Sequence, residues 1–230
     1  MMPGHRAGLA TLECGGASGP VVIVLHGRGM QAADLAPFGE SLGLDARFVF
    51  PDAPLALAAG GRSWWPVDAE LRAQADAGRP SDLYRFDPPG RAAARAALGA
   101  LCDALAPDRQ RVLVGFSQGG MLAMDYVLHG GRVDALALLS SSSIALADWR
   151  PRLDALRALP LLIAHGRADD ELSFAAGERL RELAVAGGAA VDWRAFDGGH
   201  GIPLPVWRAL RQFLRRLPER RAAQDGQAPI

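Results

Sequence analysis

The segment GFSQGG at residues 115–120 places Ser117 in the pattern G-x-S-x-G, between an apolar run and a helical pattern. A nucleophilic serine needs a sharp strand-to-helix turn that projects its hydroxyl, and Gly115 and Gly119 remove side chains that would collide there. The backbone N–H of Gln118 begins the helix without an intrahelical acceptor, so it can face a developing oxyanion. We therefore predict that Ser117 is a nucleophile; the alternative is an ordinary strand-to-helix turn.

A serine hydroxyl is a weak nucleophile unless a base accepts its proton, so this hypothesis requires a histidine. His200, in the glycine-rich segment DGGHG after the last apolar run, satisfies the expected chain order of serine, acid and histidine. The other four histidines fail on order or distance: His5 and His26 precede the serine, His129 ends the helix that the serine begins, and His165 precedes the available acids. We also expect His5 to lie in an unstructured start of the chain.

An acid must hold the histidine tautomer that leaves Nε2 free for the serine, and it must also stabilise the imidazolium. The apolar run LPLLIAHG is followed by Asp169 and Asp170, where a strand would end. We predict that Asp169 is the acid and keep Asp170 as the alternative, since Asp170 also suits a helix N-cap ahead of Glu171. Asp197 is a weaker candidate because its position suits a turn former.

The segment VVIVLHGRGMQAA, residues 21–33, admits two interpretations. Gly27, Gly29 and Ala32 spell the G-x-G-x-x-A turn of a dinucleotide-binding unit, and Asp52 follows about 20 residues later, where a ribose-binding acid is expected. The same segment contains His-Gly, which also begins one wall of the oxyanion hole in serine hydrolases. We favour the second interpretation because the first leaves the serine, the acid and the histidine unexplained.

Short apolar runs alternate with helical patterns along the chain. Runs that are apolar on both faces suit interior strands, so the alternation predicts an α/β fold with a mostly parallel central sheet and helices on both faces. The predicted strands lie at 21–27, 47–54, 111–117, 133–142, 159–166 and 191–199, and the predicted helices at 91–106, 118–131, 171–188 and 203–217. In the first of these helices, we expect Ala92, Leu98, Leu101 and Leu105 on one side.

Residues 53–90 interrupt the alternation and are too long for an ordinary connection. Ligands of open α/β sheets bind beyond the carboxyl ends of the strands, so an insertion that starts there can cover the site. We predict one α/β-hydrolase-like domain at 1–217 that contains this insertion, and a flexible tail at 218–230. An apolar patch around the insertion would serve a second copy of the chain or a lipid substrate equally well, which leaves a homodimer open.

The charge balance argues against polyanionic partners, because 25 Lys and Arg match 25 Asp and Glu and give zero net charge at pH 7. We therefore expect a small-molecule or neutral partner and no nucleic acid. No run approaches about 18 apolar residues, and the N-terminus has no apolar signal segment, so we expect no stable membrane insertion. Cys14 and Cys102 are too few for a disulfide framework, and we predict a cytoplasmic protein.

Four segments together resemble the phospholipase/carboxylesterase family of α/β-hydrolases, which includes the acyl-protein thioesterases. They are LHGRG, GFSQGGMLA, HGRADD and GGHGI, in the family's order and spacing, and the resemblance extends from about residue 20 to 215. The resemblance implies that Ser117 is the nucleophile, Asp169 the acid and His200 the base.

The resemblance also implies two further groups of site residues. Backbone N–H groups of Arg28 and Gln118 would form the oxyanion hole, and Trp65, with Trp64, would line the acyl pocket; core packing is the alternative for both tryptophans. The chain departs from the pattern of eukaryotic thioesterases after LHG, where it has Arg28 in place of an apolar residue, and after the acid, where it lacks an apolar-Pro pair. Neither change removes the backbone N–H of residue 28.

The sequence thus predicts a serine hydrolase that cleaves carboxylic esters of small or lipid-like substrates through a seryl acyl-enzyme, with no metal or organic cofactor. Acyl-protein thioesterase and lysophospholipase activities are the alternatives within this class. Two alternatives come from other classes: a non-catalytic ligand-binding protein on a hydrolase scaffold, and a dinucleotide-binding oxidoreductase.

Overall fold

An eight-stranded sheet forms the centre of the computed structural model, which describes residues 1–67, 73, 77, 79–105 and 108–217. The strand order is β1-β2-β4-β3-β7-β8-β9-β10. The strands are β1 (Met2–Arg6), β2 (Leu9–Gly15), β3 (Val21–Leu25), β4 (Arg47–Pro51), β7 (Arg111–Phe116), β8 (Ala135–Leu139), β9 (Pro160–Gly166) and β10 (Ala190–Phe196). All neighbours from β4 to β10 pair in parallel, which confirms the predicted mostly parallel sheet. The predicted tail at 218–230 lies outside the described residues.

Helices cover both faces of the sheet, as predicted. They are α1 (Ala32–Ser41), α2 (Arg91–Ala104), α3 (Gln118–Leu128), the short α4 (Leu146–Trp149), which continues into a 3₁₀ helix (Arg150–Leu156), α5 (Phe174–Ala186) and α6 (Leu204–Arg215). One apolar cluster joins α1 and α6 to the sheet, and a second joins α2, α3 and α5 to the opposite face. Among the described residues, no helix has the length and apolar character needed to cross a membrane.

The buried side of α2 differs in one position from the expected one. Ala94, Leu98 and Leu101 are buried, whereas Ala92 is exposed. Residues four and three apart share a helix face, but a residue six positions before Leu98 lies well off that stripe. The prediction for Ala92 was therefore wrong.

The expectation of an unstructured N-terminus was also wrong, because His5 lies in β1 of an antiparallel hairpin at the sheet edge. Ala7 and Gly8 form its two-residue turn with φ of 49° and 82°, the positive values that tight hairpin turns require. The hairpin continues the sheet through antiparallel pairing of β2 with β4.

The insertion crosses the carboxyl ends of the parallel strands. It begins with a small hairpin, β5 (Leu55–Ala56) and β6 (Arg62–Ser63), and its later part pairs with the loop after β9. In that pairing the Ser81 N–H donates to Glu171 O at 2.9 Å, and the Ser173 N–H donates to Ser81 O at 2.9 Å. The described parts of the insertion therefore reach from the end of β4 to the segment that carries the predicted acid.

The helix that begins at the predicted nucleophile is anchored from its far end. Asp125 on α3 is fully buried and accepts hydrogen bonds from Arg91, from Arg95 at 2.6 Å and from the indole N–H of Trp149 at 2.8 Å. A buried carboxylate is tolerated only with such partners. This network fixes α3 against α2 and α4.

Candidate active site

Ser117 sits at the turn between β7 and α3 with φ 51° and ψ −118°, a sparsely populated conformation for a residue with a side chain. Such a conformation costs about 1–3 kcal/mol and persists only where the surroundings hold it. Here the Ser117 N–H donates to Leu139 O at 2.9 Å, and its carbonyl accepts from Ser141 Oγ at 3.0 Å. Strand β8 and the residues after it thus hold the strained turn in place.

Two glycines allow α3 to approach the sheet closely at this turn. A Cβ on Gly115 would lie 2.4 Å from Gly120 Cα, and one on Gly119 would lie 2.3 Å from Leu25 O. Real Cβ atoms do not come so close to backbone, so neither position accepts a side chain without movement of the helix. The glycines of the G-x-S-x-G pattern have the steric role that the sequence predicted.

Asp169 and His200 contact each other at the carboxyl edge of the sheet. The Asp169 carboxylate accepts a hydrogen bond from His200 Nδ1 at 2.9 Å through Oδ2, and Oδ1 accepts from the N–H groups of Glu171 at 3.0 Å and Leu172 at 2.8 Å. The alternative acids lie elsewhere: Asp170 is exposed, and the fully exposed Asp197 side chain lies 3.6 Å from Arg167. Of the three candidates, only Asp169 holds the imidazole.

The segment after Asp169 differs from the predicted one. Helix α5 starts at Phe174 rather than at residue 171, and Ser173 is its N-cap, with Oγ accepting from the Ala176 N–H at 3.2 Å. Residues 169–172 form a loop instead, in which Asp169 Oδ1 accepts from the N–H groups of Glu171 and Leu172, and the helix cap falls at Ser173. The predicted cap at Asp170 was wrong for this reason.

The His200 ring lies beside the serine turn, with its centroid 5.0 Å from that of Phe116. Burial lowers the pKa of His200, but the hydrogen bond and charge of Asp169 outweigh burial and hold this pKa above the ordinary histidine value. Burial conversely raises the pKa of Asp169, and its contacts with His200 and with backbone N–H groups bring it below the ordinary value. Within the described chain no hydrogen bond joins Ser117 Oγ to His200; such contacts often tighten only when substrate binds.

The predicted oxyanion residues flank the serine. A Cβ on Gly27 would lie 3.2 Å from Ser117 Cβ, so the peptide that carries the Arg28 N–H runs directly alongside the serine. On the other side, Gln118 is the first residue of α3, and its N–H has no intrahelical acceptor. Arg28, Ser117 and Gln118 all line the same cavity.

This cavity, of about 720 Å³, lies between the serine turn, the insertion and the acid loop. Its apolar lining comes from Leu57, Ala58, Ala59, Trp65, Val67, Leu83, Phe86, Met121 and Leu172. Asp170 and Glu171 add carboxylates on the side of the acid loop. The volume is typical of sites that take small organic ligands.

Trp64 and Trp65 lie in different environments. Trp65 lines the cavity, whereas Trp64 does not and is buried behind it, with its indole N–H donating to His26 O at 2.9 Å. Sequence reasoning treated the adjacent residues alike, but the chain bends at both positions and only the second side chain lines the cavity. The prediction that Trp64 lines the pocket was wrong.

Sequence reasoning missed the side chain of Gln118. Its Oε1 accepts from the Trp64 N–H at 2.9 Å and from Ser63 Oγ at 3.1 Å, and its Nε2 donates to Trp65 O at 3.2 Å. The residue after the predicted nucleophile therefore fixes the backbone of the segment that forms the cavity wall. The sequence offered one signal for this role of Gln118, its position next to Ser117.

Sequence reasoning also set aside His165, which supports the acid loop. Its buried ring places Nε2 3.0 Å from Leu172 O and 3.4 Å from Asp169 Oδ2. A Cβ on Gly177 of α5 would lie 2.5 Å from His165 Cγ, so a glycine leaves the space for this ring. His165 thus packs under the loop that presents Asp169.

The dinucleotide interpretation of residues 21–33 fails on two contacts. Asp52, the proposed ribose ligand, accepts a hydrogen bond from the Ala32 N–H at 2.7 Å and so occupies the start of α1, where a pyrophosphate would bind. Asp34 adds a second carboxylate in the first turn, which accepts from the Gln31 N–H at 2.8 Å. The N-terminus of α1 is therefore already neutralised by the chain's own acids.

A parallel sheet covered on both faces, with a strained serine turn and an Asp-His pair at its carboxyl edge, defines the α/β-hydrolase class. A family profile described as Phospholipase/Carboxylesterase matches residues 9–217, and the chain belongs to that family. The match confirms the resemblance stated from the sequence, and it assigns the chain to a family of carboxylic ester hydrolases, as predicted.

Individual relatives agree with this family. Acyl-protein thioesterase 1 of Neurospora crassa is 30% identical over 119 residues, an alignment that spans about half of each chain, 49% in both cases. The crystal structure of esterase PE8 covers 91% of this chain and 99% of its own, with a TM-score of 0.73 and 26% identity. Acyl-protein thioesterase 2 of Zea mays, at 21% identity, has a TM-score of 0.74 over 89% of this chain and 97% of its own, which supports the fold.

The contact between Asp169 and His200 predicts the titration of His200. The pKa of this imidazole should lie above the ordinary value of 6.5 in the native protein and should fall in Asp169→Asn, because burial then acts without the opposing charge. NMR titration of the histidine ring signals measures both values. An unchanged His200 titration would show that Asp169 is not its partner in solution.

Proposed function

We propose that this protein is a serine esterase that uses Ser117, Asp169 and His200 to hydrolyse carboxylic esters through an acyl-enzyme. The observation that carries the proposal is the hydrogen-bonded Asp169–His200 pair, at 2.9 Å, beside a serine held in strained backbone geometry. Strain at one residue of a tight turn exposes its hydroxyl, and a paired imidazole supplies the base that the hydroxyl needs.

In acylation, His200 Nε2 accepts the Ser117 proton as Oγ attacks the substrate carbonyl carbon. Asp169 keeps the other proton on Nδ1 and stabilises the imidazolium that forms, in agreement with the raised pKa of His200. The negative charge that develops on the carbonyl oxygen meets the N–H groups of Arg28 and Gln118. His200 then gives its proton to the leaving oxygen, and the C–O bond breaks.

In deacylation, water replaces the departed alcohol. His200 Nε2 accepts a proton from that water, whose oxygen attacks the seryl ester, and the same two N–H groups stabilise the second oxyanion. The proton returns from His200 to Ser117 Oγ as the acid product leaves. Every proton in this cycle moves through one nitrogen, so activity requires His200 neutral and falls as the pH drops through its raised pKa.

The largely apolar cavity lining supports an acyl chain or another lipid-like group as the substrate portion that is bound. An acyl-protein thioesterase or a lysophospholipase would use the same residues, and the relatives named as thioesterases favour the first of these as the second candidate. A cytoplasmic location and a homodimer stay predictions from the sequence.

Replacement of the nucleophile gives the direct test. Ser117→Ala should abolish turnover of a p-nitrophenyl ester, and a fluorophosphonate should label the native protein at Ser117, as located by mass spectrometry. Ser41→Ala is the matched control, because this exposed serine ends α1 and lies outside the cavity lining. Turnover that survives in Ser117→Ala, or an adduct at another residue, would refute the assignment.

The oxyanion hole has its own test at Arg28. Arg28→Ala keeps the backbone N–H, whereas Arg28→Pro removes it, so Arg28→Pro should lose about 100- to 1000-fold in kcat relative to Arg28→Ala. The comparison is made on p-nitrophenyl butyrate, with melting temperatures measured for both variants. Equal kcat values in the two folded variants would show that the Arg28 N–H does not stabilise the oxyanion.

A chain-length series distinguishes the candidate substrates. In p-nitrophenyl esters from two carbons upward, kcat/KM should rise by up to about fourfold for each methylene that becomes buried, until the chain fills the cavity. An acyl thioester of the optimal length, assayed in parallel, decides between esterase and thioesterase. A flat series would contradict an acyl site in the cavity.

A further inference from the structure

His26, which the proposed mechanism does not use, is buried at the end of β3 with 1% of its surface exposed. Both ring nitrogens have partners. Nε2 accepts a hydrogen bond from the Ala53 N–H at 3.0 Å, and Nδ1 lies 2.7 Å from Gly27 O. A backbone N–H can only donate, so Nε2 carries no proton, and the neutral ring must carry it on Nδ1. The Nδ1–H therefore donates to Gly27 O.

This hydrogen bond controls the direction of one peptide group. Gly27 O belongs to the same planar unit as the Arg28 N–H, and in a trans peptide the C=O and N–H point in opposite directions. Fixing Gly27 O on the His26 side therefore aims the Arg28 N–H away from His26. Gly27 packs against Ser117, so the orientation of this peptide decides whether the N–H can meet a developing oxyanion.

We propose that His26 is a positioning residue that sets the orientation of the Gly27–Arg28 peptide and so forms one half of the oxyanion hole. The inference rests on the proposed function, which assigns the Arg28 N–H to the oxyanion. Glycine offers little resistance to rotation of its peptide, so the chain needs an outside contact to hold it. His26 Nδ1–H is that contact, joined at 3.3 Å by the Met30 N–H.

The surroundings hold the His26 ring in the required state. Trp64 Nε1 donates to His26 O at 2.9 Å, and the Trp64 and His26 ring centroids are 5.4 Å apart. Burial lowers the pKa of His26, which favours the neutral ring that can accept from the Ala53 N–H. The insertion thus supplies the Ala53 N–H, whose hydrogen bond to Nε2 fixes the tautomer, and the Trp64 ring, which packs beside the imidazole.

Two amide substitutions separate the two hydrogen bonds. In His26→Asn the amide nitrogen occupies the place of Nδ1 and can still donate to Gly27 O, whereas in His26→Gln the amide reaches the place of Nε2 and can accept only from Ala53. Each variant loses one of two buried hydrogen bonds, so a merely structural role predicts similar losses of activity and melting temperature in both. We expect His26→Gln to lose about 10- to 100-fold in kcat with little change in KM, and His26→Asn to keep at least tenfold more kcat than His26→Gln.

A transition-state analogue gives a second readout. A trifluoromethyl ketone forms a hemiketal with Ser117 whose oxyanion occupies the hole, so its inhibition constant should rise in His26→Gln in parallel with the loss of kcat. The same constant should remain near the native value in His26→Asn. Native kcat and inhibition constant in folded His26→Gln, or equal losses in both variants, would overturn the proposal.

Failure of this inference is distinguishable from failure of the proposed function. Turnover by Ser117→Ala would refute the esterase mechanism whatever the His26 variants do. An Arg28→Pro variant as active as Arg28→Ala would show that the Arg28 N–H is not an oxyanion donor. It would thereby refute the role of His26 as well. An inactive Arg28→Pro together with a fully active His26→Gln would leave the mechanism standing and refute only the positioning role of His26.

Discussion

The close approach of the first turn of α3 to the end of β3 is the constraint on which the site depends. Gly119 lies where any Cβ would meet Leu25 O at 2.3 Å, and Gly27 lies where a Cβ would meet Ser117 Cβ at 3.2 Å. Because α3 meets the backbone of β3 at Gly119, and Gly27 packs against the serine side chain, N–H groups from two elements can converge beside one hydroxyl. A side chain at either glycine would push these elements apart and move the serine away from the Arg28 N–H, an oxyanion donor in the proposed mechanism.

The insertion is connected to the catalytic elements by hydrogen bonds rather than lying over them as a separate cover. Gln118 binds the Ser63 hydroxyl and the backbone of residues 64 and 65, and Ser81 pairs with the segment that follows Asp169. The cavity walls and the reacting groups therefore share a rigid frame. A substitution that moves residues 63–65 would also move Gln118, so the proposed mechanism couples substrate selection to rate.

The sequence predicted the parts of the fold that have local signals. Strands β3 and β7 to β9 are apolar on both faces, and strand ends and glycine-rich turns pointed to Ser117, Asp169 and His200. It did not predict α1, which contains Pro37 and Gly39; Gly39 is needed where a Cβ would meet the Phe50 ring at 2.7 Å. Such tertiary contacts have no local pattern. The same limit applies to His26, which chain order excluded as a base and whose contact with Gly27 O only the structure shows.

The N-termini of α1 and α3 both lie near the carboxyl edge of this sheet, and their neighbours decide which of the two can meet a negative charge. At α1, the Asp52 carboxylate accepts from the Ala32 N–H at 2.7 Å, and the site for an external anion is filled by the chain itself. At α3, the residue before the helix is Ser117, and the first N–H belongs to Gln118 in the cavity lining. Gly27, in the segment that resembles a phosphate loop, therefore packs against the serine at the start of α3. In the proposed mechanism the peptide that follows it supplies the Arg28 N–H, which stabilises a charge that exists only during the reaction.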